Sequence, residues 1–219
     1  SITNSCLLKM AETLRQKHKK ETRGRILGAA RQLMAGGRGL DSLGLREVAR
    51  EAGLAATSLY NHFPDMEALG LALIDEACFR LRVAMSEGRR SMIEIGPRQA
   101  IQELVGRFGR FILSNEGEFR LLLQQRLGRS RRYRARIHGE LQLLVDELAE
   151  DIRAVVAAQG RPAVPAEREA EAAVSLMFGL GVAMLDVSPA RREELAANAV
   201  EQLAILALGG RRWAQGERL

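Results

Sequence analysis

Two cysteines, three histidines, five prolines and 4% aromatic residues leave 219 residues with little reactive chemistry. Cys6 and Cys78 lie far apart, so they form neither a CxxC nor a metal-type spacing and make no disulfide framework. Cys78 falls inside an apolar helical pattern and reads as a small buried residue. His18 sits in a basic segment, His62 in a polar one and His138 among arginines, with no spacing that suits a metal or an acid–base pair. An enzyme is therefore not expected, and neither is a cofactor. No stretch approaches the roughly 18 consecutive apolar residues that cross a bilayer, and SITNSCLLKM has no long apolar core before a cleavage signature. The expectation is a cytoplasmic protein without a membrane partner, its first eight residues a flexible leader.

What remains is abundant Ala, Leu, Arg and Glu, few β-branched runs, and 47% hydrophobic residues. Straight-chain residues lose little freedom in a helix, so the composition predicts an all-α protein of about nine helices with a real core. The formal charge of +6 is unevenly placed. Residues 1–63 hold eleven Lys and Arg against five Asp and Glu, whereas the other 156 residues hold 22 of each. All the excess lies at the N-terminal end, as in a module that binds a polyanion and releases its counterions. A solvated basic tail is the other reading of RQKHKK taken alone.

Apolar residues recur at helical spacing. Ile26, Ala29, Ala30, Leu33 and Met34 form one stripe, ended by Gly36 and Gly37. Leu45, Val48, Ala49 and Ala52 form a stripe of only two turns, closed at Gly53. Leu54, Leu59, Tyr60 and Phe63 supply the next short face, which Pro64 stops. Asp65 can cap a longer helix carrying Met66, Leu69, Leu73, Ile74, Ala77 and Leu81. Two such short helices are not stable alone and must pack on their neighbours.

Two short helices joined at Gly53–Ala55 make a helix-turn-helix, whose second helix enters the DNA major groove, ~12 Å wide. With Leu59 and Phe63 inward, Ala55, Ala56, Thr57, Ser58, Tyr60, Asn61 and His62 are left near DNA. Small residues at 55 and 56 permit close approach, hydroxyls and the Tyr60 phenol suit phosphates, and Asn61 can pair in two places with adenine.

Thr22 to about Arg82 resembles the DNA-binding domain of the TetR family of bacterial repressors. The resemblance rests on Val48-Ala49 in the second helix, AG at the turn and LYNHF ending the third. It implies that Thr22 at the start of helix one, Arg46, Tyr60 and His62 contact phosphates, with Thr57, Ser58 and Asn61 nearest the bases. Gly44 and Ala55 stand where that pattern has capping hydroxyls, and Met66 where a lysine often meets phosphate. HFPDMEALGLALIDE and FRLLLQQRLGRSRRYRARI are similar to a narrower branch, the repressors of unsaturated fatty-acid synthesis that sense long-chain acyl thioesters. The expected organisation is a basic arm (1–21), a helix-turn-helix domain (22–64), a connecting helix (65–86) and a ligand-binding and dimerisation domain (87–219).

In that last part, Ile101, Leu104, Val105, Phe108, Phe111 and Ile112 share one side of a helix that starts at Pro97. Ile137, Leu141, Leu144, Val145, Leu148, Ile152 and Val155 share another, ended by Gly160 and Pro162. Two further helices, about 167–186 and 189–208, are rich in small residues: Ala172, Ala173, Gly179, Gly181 and Ala183, then Ala196, Ala197, Ala199 and Ala204. These permit close helix approach, either within the monomer or in the four-helix homodimer interface that the family resemblance implies. A two-fold dimer calls for a pseudo-palindromic operator, with half-sites one or more ~34 Å turns apart.

Phe108, Phe111, Phe119, Leu122, Leu123, Met177, Phe178 and Met184 supply adaptable apolar walls for an effector cavity, or plain core. Seven arginines and no acid lie between Phe119 and Gly139. Of these, Arg126, Arg129 and Arg132 could hold the phosphates of an acyl-CoA; a solvated helix start is the other reading. Within the regulator class, a repressor of an efflux or catabolic operon that senses another apolar or cationic molecule is the alternative, and carboxylates lining the cavity would favour it.

Overall fold

The computed structural model describes residues 2–35, 37–89, 95–160 and 164–216, with side chains from residue 14 onward except those of 87–89. Among the described residues there are nine α-helices and no strand. In chain order they are α1 (Ile2–Met34), α2 (Leu45–Glu51), α3 (Ala56–Tyr60), α4 (Met66–Arg89), α5 (Pro97–Ser114), α6 (Glu116–Leu127), α7 (Arg131–Ala158), α8 (Ala166–Met184) and α9 (Pro189–Ala214). The all-α expectation holds. The chain divides into two compact units, residues 1–75 and 76–219, with the boundary inside α4.

In the first unit the helix ends follow from the sequence. The Asp65 carboxylate accepts the Ala68 N–H at 2.7 Å and caps α4. α2 closes in a Schellman turn: Gly53 takes φ +65, its N–H donates to Arg50 O (3.1 Å), and the Leu54 N–H donates to Ala49 O (2.9 Å). Arg25 of α1 donates to Ala52 O at 2.8 Å, placing a cation at the negative end of α2. Val48, Leu59, Leu69 and Ile74 are among the fully buried side chains of this unit.

Two boundaries differ from the sequence reading. The basic segment expected as a flexible arm is helical, because Lys, Arg, Gln, Glu and Leu are all good helix formers and nothing between Ile2 and Met34 breaks the run. The third helix is only five residues long. Asn61 is its C-cap and His62 lies in the following turn. Gly36 and Pro162, expected to end helices, lie outside the described residues.

Gly44 and Ala55 make no side-chain cap to α2 and α3. Ala55→Ser is accordingly expected to stabilise the first unit by about 1 kcal/mol, read as a higher denaturant midpoint.

The second unit is a helical bundle. α5 packs on α6, α8 and α9, and α7 packs on α6 and α8. Pro97 opens α5 as a first-turn proline, and Ser130 and Ser188 cap α7 and α9 by accepting the N–H groups of Tyr133 and Arg191. The core runs from Leu81 and Met85 of α4 through Val105 and Phe108 to Leu148, Met177 and Leu203. α9 runs six residues beyond the expected end at Leu208. No helix among the described residues is long and apolar enough to cross a membrane.

Candidate nucleic-acid interface and ligand cavity

In the first unit, Leu59 (0% exposed) and Phe63 (1%) point inward, while Tyr60 is 47% exposed. Ala55, Thr57 and Asn61 are also exposed, and Ala56, Ser58 and His62 are half-buried. Residues 55–62 thus present one polar, sterically open surface. Arg46 is exposed on α2, and residues 14–21 and 23–25 of α1 are exposed as well. The Arg23 guanidinium stands 4.3 Å over the Phe63 ring, so the basic helix is held against the end of the polar surface. Arg38 binds both oxygens of Glu47 (2.5 and 3.1 Å) and Ser42 O (2.9 Å), fixing α2 to the loop before it. That hydrogen bond holds the Glu47 carboxyl below its usual range.

The second unit contains two narrow apolar cavities. One, of about 50 Å³, is lined by Leu81, Met85, Leu104, Phe108, Leu144 and Met177 among others, and so lies between α4, α5, α7 and α8. The other, of about 80 Å³, lies between α5, α7, α8 and α9 and ends at Gln159, Glu169 and Arg211. Of the eight residues expected to line a cavity, Phe108, Met177 and Phe178 line the first. Phe111 lines a separate surface groove on α4 and α5. Phe119, Leu122 and Met184 are buried core, and Leu123 packs against that core. Phe119 meets Phe108 edge-on (6.1 Å) and Phe178 at 5.3 Å, so it is an aromatic hub rather than a wall. The walls missed were Leu81, Met85, Leu104, Leu144 and Leu148. Their helical stripes were visible, but an apolar stripe does not say whether it closes on a neighbour or on a void.

The arginine segment is partly consumed by its own neighbourhood. Arg120 pairs with Glu116 (2.9 Å) and Asp186 (2.6 Å), and Arg134 donates to Gly128 O and Arg129 O. Arg126 lines an outer cleft with His138 and stands 5.8 Å over Phe178. Arg129 and Arg132 are exposed and line no cavity described above.

Residues 26–73 match the family of bacterial regulatory proteins called tetR. Those residues run from the C-terminal part of α1 through α2 and α3 into the start of α4, the helix-turn-helix of the first unit. The fold over most of the remaining length is also shared. A structure named Salmonella enterica GusR superposes with a TM-score of 0.70 at 22% identity, covering 85% of this chain and 95% of that one. A transcriptional regulator from Rhodococcus gives 0.69 at 20% identity (86% and 97%), and a TetR-family regulator from Streptomyces coelicolor gives 0.63 at 19% (91% and 90%).

Within this head, most of the expected contact residues are on the outside, with one clear exception. Thr22 is 6% exposed and lies in the interior of α1 rather than at its start, because the helix begins at Ile2. A hydroxyl so placed has no helix terminus to share with a phosphate.

His62 is a special case. Its Nδ1 is buried without a hydrogen-bond partner. A proton there would be an N–H with no acceptor, so the neutral ring protonated at Nε2 is favoured. Burial holds the imidazole below its ordinary pKa, and Lys19, Arg23 and His18 push in the same direction. The unfolded chain therefore takes up the proton first. The stability this group protects is complete above about pH 6.5 and is lost as pH falls below it. The first unit is expected to show that acid-side decline in its denaturation midpoint, and His62→Gln to remove that component.

Proposed function

We propose that this protein is a transcriptional repressor that binds a pseudo-palindromic operator as a homodimer and is controlled by an apolar effector. The observation that carries the DNA half is the outward polar surface of residues 55–62 beside an exposed basic helix. In this reading Ala55 and Ala56 let the backbone approach DNA, Arg46, Tyr60 and His62 hold phosphates, and Thr57, Ser58 and Asn61 read bases. Such a regulator works where the chromosome is, in the cytoplasm.

The proposed dimer forms through α8 and α9. Of the small residues, Ala173, Gly181 and Ala199 are buried within the monomer, Ala196 and Ala204 are half-buried, and Ala172, Gly179, Ala183 and Ala197 are exposed. Val182 of α8 and Ile205, Leu208 and Trp213 of α9 are exposed large apolar groups, 47–67% accessible. An exposed apolar face of this kind marks an interaction surface.

The effector half rests on the first cavity. Leu81 and Met85 of α4 line it, and the same stretch of α4 is tied to α6 by an Arg80–Glu118 ion pair and to α7 by Arg82–Glu140 at 3.0 Å. A ligand that pushes Leu81 and Met85 aside must disturb those ties and so bias α4. A coupling of ~1–3 kcal/mol between effector and operator would follow. At ~50 Å³ the cavity must open to admit an acyl chain, which the flexible Met85 and Met177 permit.

A long-chain acyl-CoA is one candidate effector, with phosphates at Arg126, Arg129 and Arg132; Arg126 alone of these lines a cleft. Titrating acyl thioesters of graded length into an operator complex, followed by fluorescence anisotropy, is expected to shift affinity 5-fold or more, roughly what such a coupling gives. No shift at any length removes the acyl reading. The second reading, an efflux or catabolic regulator sensing a cationic apolar molecule, is favoured by Glu169, the one carboxylate lining either cavity.

A further inference from the structure

Glu169 lies in the first turn of α8, half-buried, where α8 meets α9. Its side chain lines the second cavity together with Arg211, and also a smaller cleft with Trp213. Glycine at 210 leaves room for it: a Cβ there would stand 2.8 Å from the Glu169 Oε2. Among the described residues no ion pair or side-chain hydrogen bond engages the Glu169 carboxylate. The carboxylate is half withdrawn from water, and burial raises its pKa although Arg211 opposes the rise. Arg211 and Gln159 line the same cavity, but among the described residues no hydrogen bond joins either of them to the carboxylate.

The two cavities share three lining residues, Leu104, Leu148 and Ala173. They therefore lie end to end along α7 and α8, separated only by that apolar partition. On α8 the lining runs Glu169, Ala173, Met177, one residue per turn on one face, about 12 Å from first to last at 1.5 Å per residue. The only charged groups along this path are at its α9 end.

We infer that the two cavities form one elongated effector site, and that its ligand is an apolar chain ending in a protonated amine held by Glu169. The tail crosses the Leu104–Leu148–Ala173 partition and lies against Met177 and Phe178. An ammonium supplies opposite charge and up to three donors to the unpartnered carboxylate. A hydroxyl head satisfies it without charge, and a carboxylate head sets like charges side by side. This assignment rests on the apolar-effector reading above and names the ligand class within it.

The test is calorimetric titration of the full chain, without DNA, using an n-alkylammonium, an n-alkanol and an n-alkanoate of one length, all kept below micelle formation. The wild-type protein is expected to bind the ammonium about tenfold tighter than the alkanol. Glu169→Gln should abolish that preference while leaving the alkanol affinity unchanged, which also shows that the variant's cavity is intact. Equal binding of ammonium and alkanol, a preference that survives Glu169→Gln, or tightest binding of the alkanoate overturns the inference but leaves the apolar-effector reading standing. If none of the three binds, both fail.

Discussion

Replacing Asn61 with Ala is expected to cut discrimination between operator and random duplex about 10- to 100-fold, with little change in affinity for random DNA. The reason is that a side-chain amide paired in two places with one base carries ~1–3 kcal/mol of selectivity and almost none of the phosphate attraction. Tyr60→Phe tests the opposite role. Loss of a phenol bound to phosphate should weaken all duplexes alike and leave the operator-to-random ratio unchanged. Asn61 is exposed at the C-cap of α3 and Tyr60 is 47% exposed, so neither change disturbs the buried side of the head. Anisotropy titrations of both variants at one salt concentration separate the roles, and a reversed pattern would reverse the assignment.

Gly181→Ala is expected to destabilise the second unit, a result opposite to the usual gain from replacing a helical glycine. That gain is ~0.5–1 kcal/mol. At 181, however, a Cβ would stand 2.5 Å from Phe119 Cζ and 3.0 Å from Phe108 Cζ. Phe119 is 0% exposed and lodged between the edge-on Phe108 ring and the tilted Phe178 ring, so it has nowhere to retreat. Overpacking of this kind costs ~1–3 kcal/mol and outweighs the helix propensity. Gly139, exposed on α7 with nothing within 4 Å of a Cβ, is the control: Gly139→Ala should raise the denaturant midpoint where Gly181→Ala lowers it.

Gly181 also shows where sequence reading stops. Like Ala173 and Ala183 it reads as a small residue that lets another helix approach, but the residue that needs its smallness is Phe119, about sixty positions earlier. The local signals were more legible. Gly53 ending α2, Asp65 capping α4, Pro97 opening α5 and the apolar stripes of α1, α4, α5 and α7 all follow from short-range chemistry, and all are seen. The outward surface at 55–62 was legible for the same reason, since the inward residues Leu59 and Phe63 are four apart and fix the rest. Basic composition at the start of α1 reads as disorder, although the same residues favour the helix that begins at Ile2. The family resemblance implies a helix start at Thr22, whereas the longer α1 places it in the helix interior. Cavity walls depend on which stripe faces which, and Glu169 gave no signal at all, being one acid among many until α9 is packed against it.

Everything about regulation depends on the head being a paired DNA reader. The most direct measurement is a footprint of the purified full chain on duplex DNA, combined with sedimentation of the complex. The account predicts a dimer protecting two related half-sites centred one or more helical turns, ~34 Å each, apart, with affinity falling steeply as salt rises. A monomer that protects no sequence in preference to any other at moderate salt would contradict it.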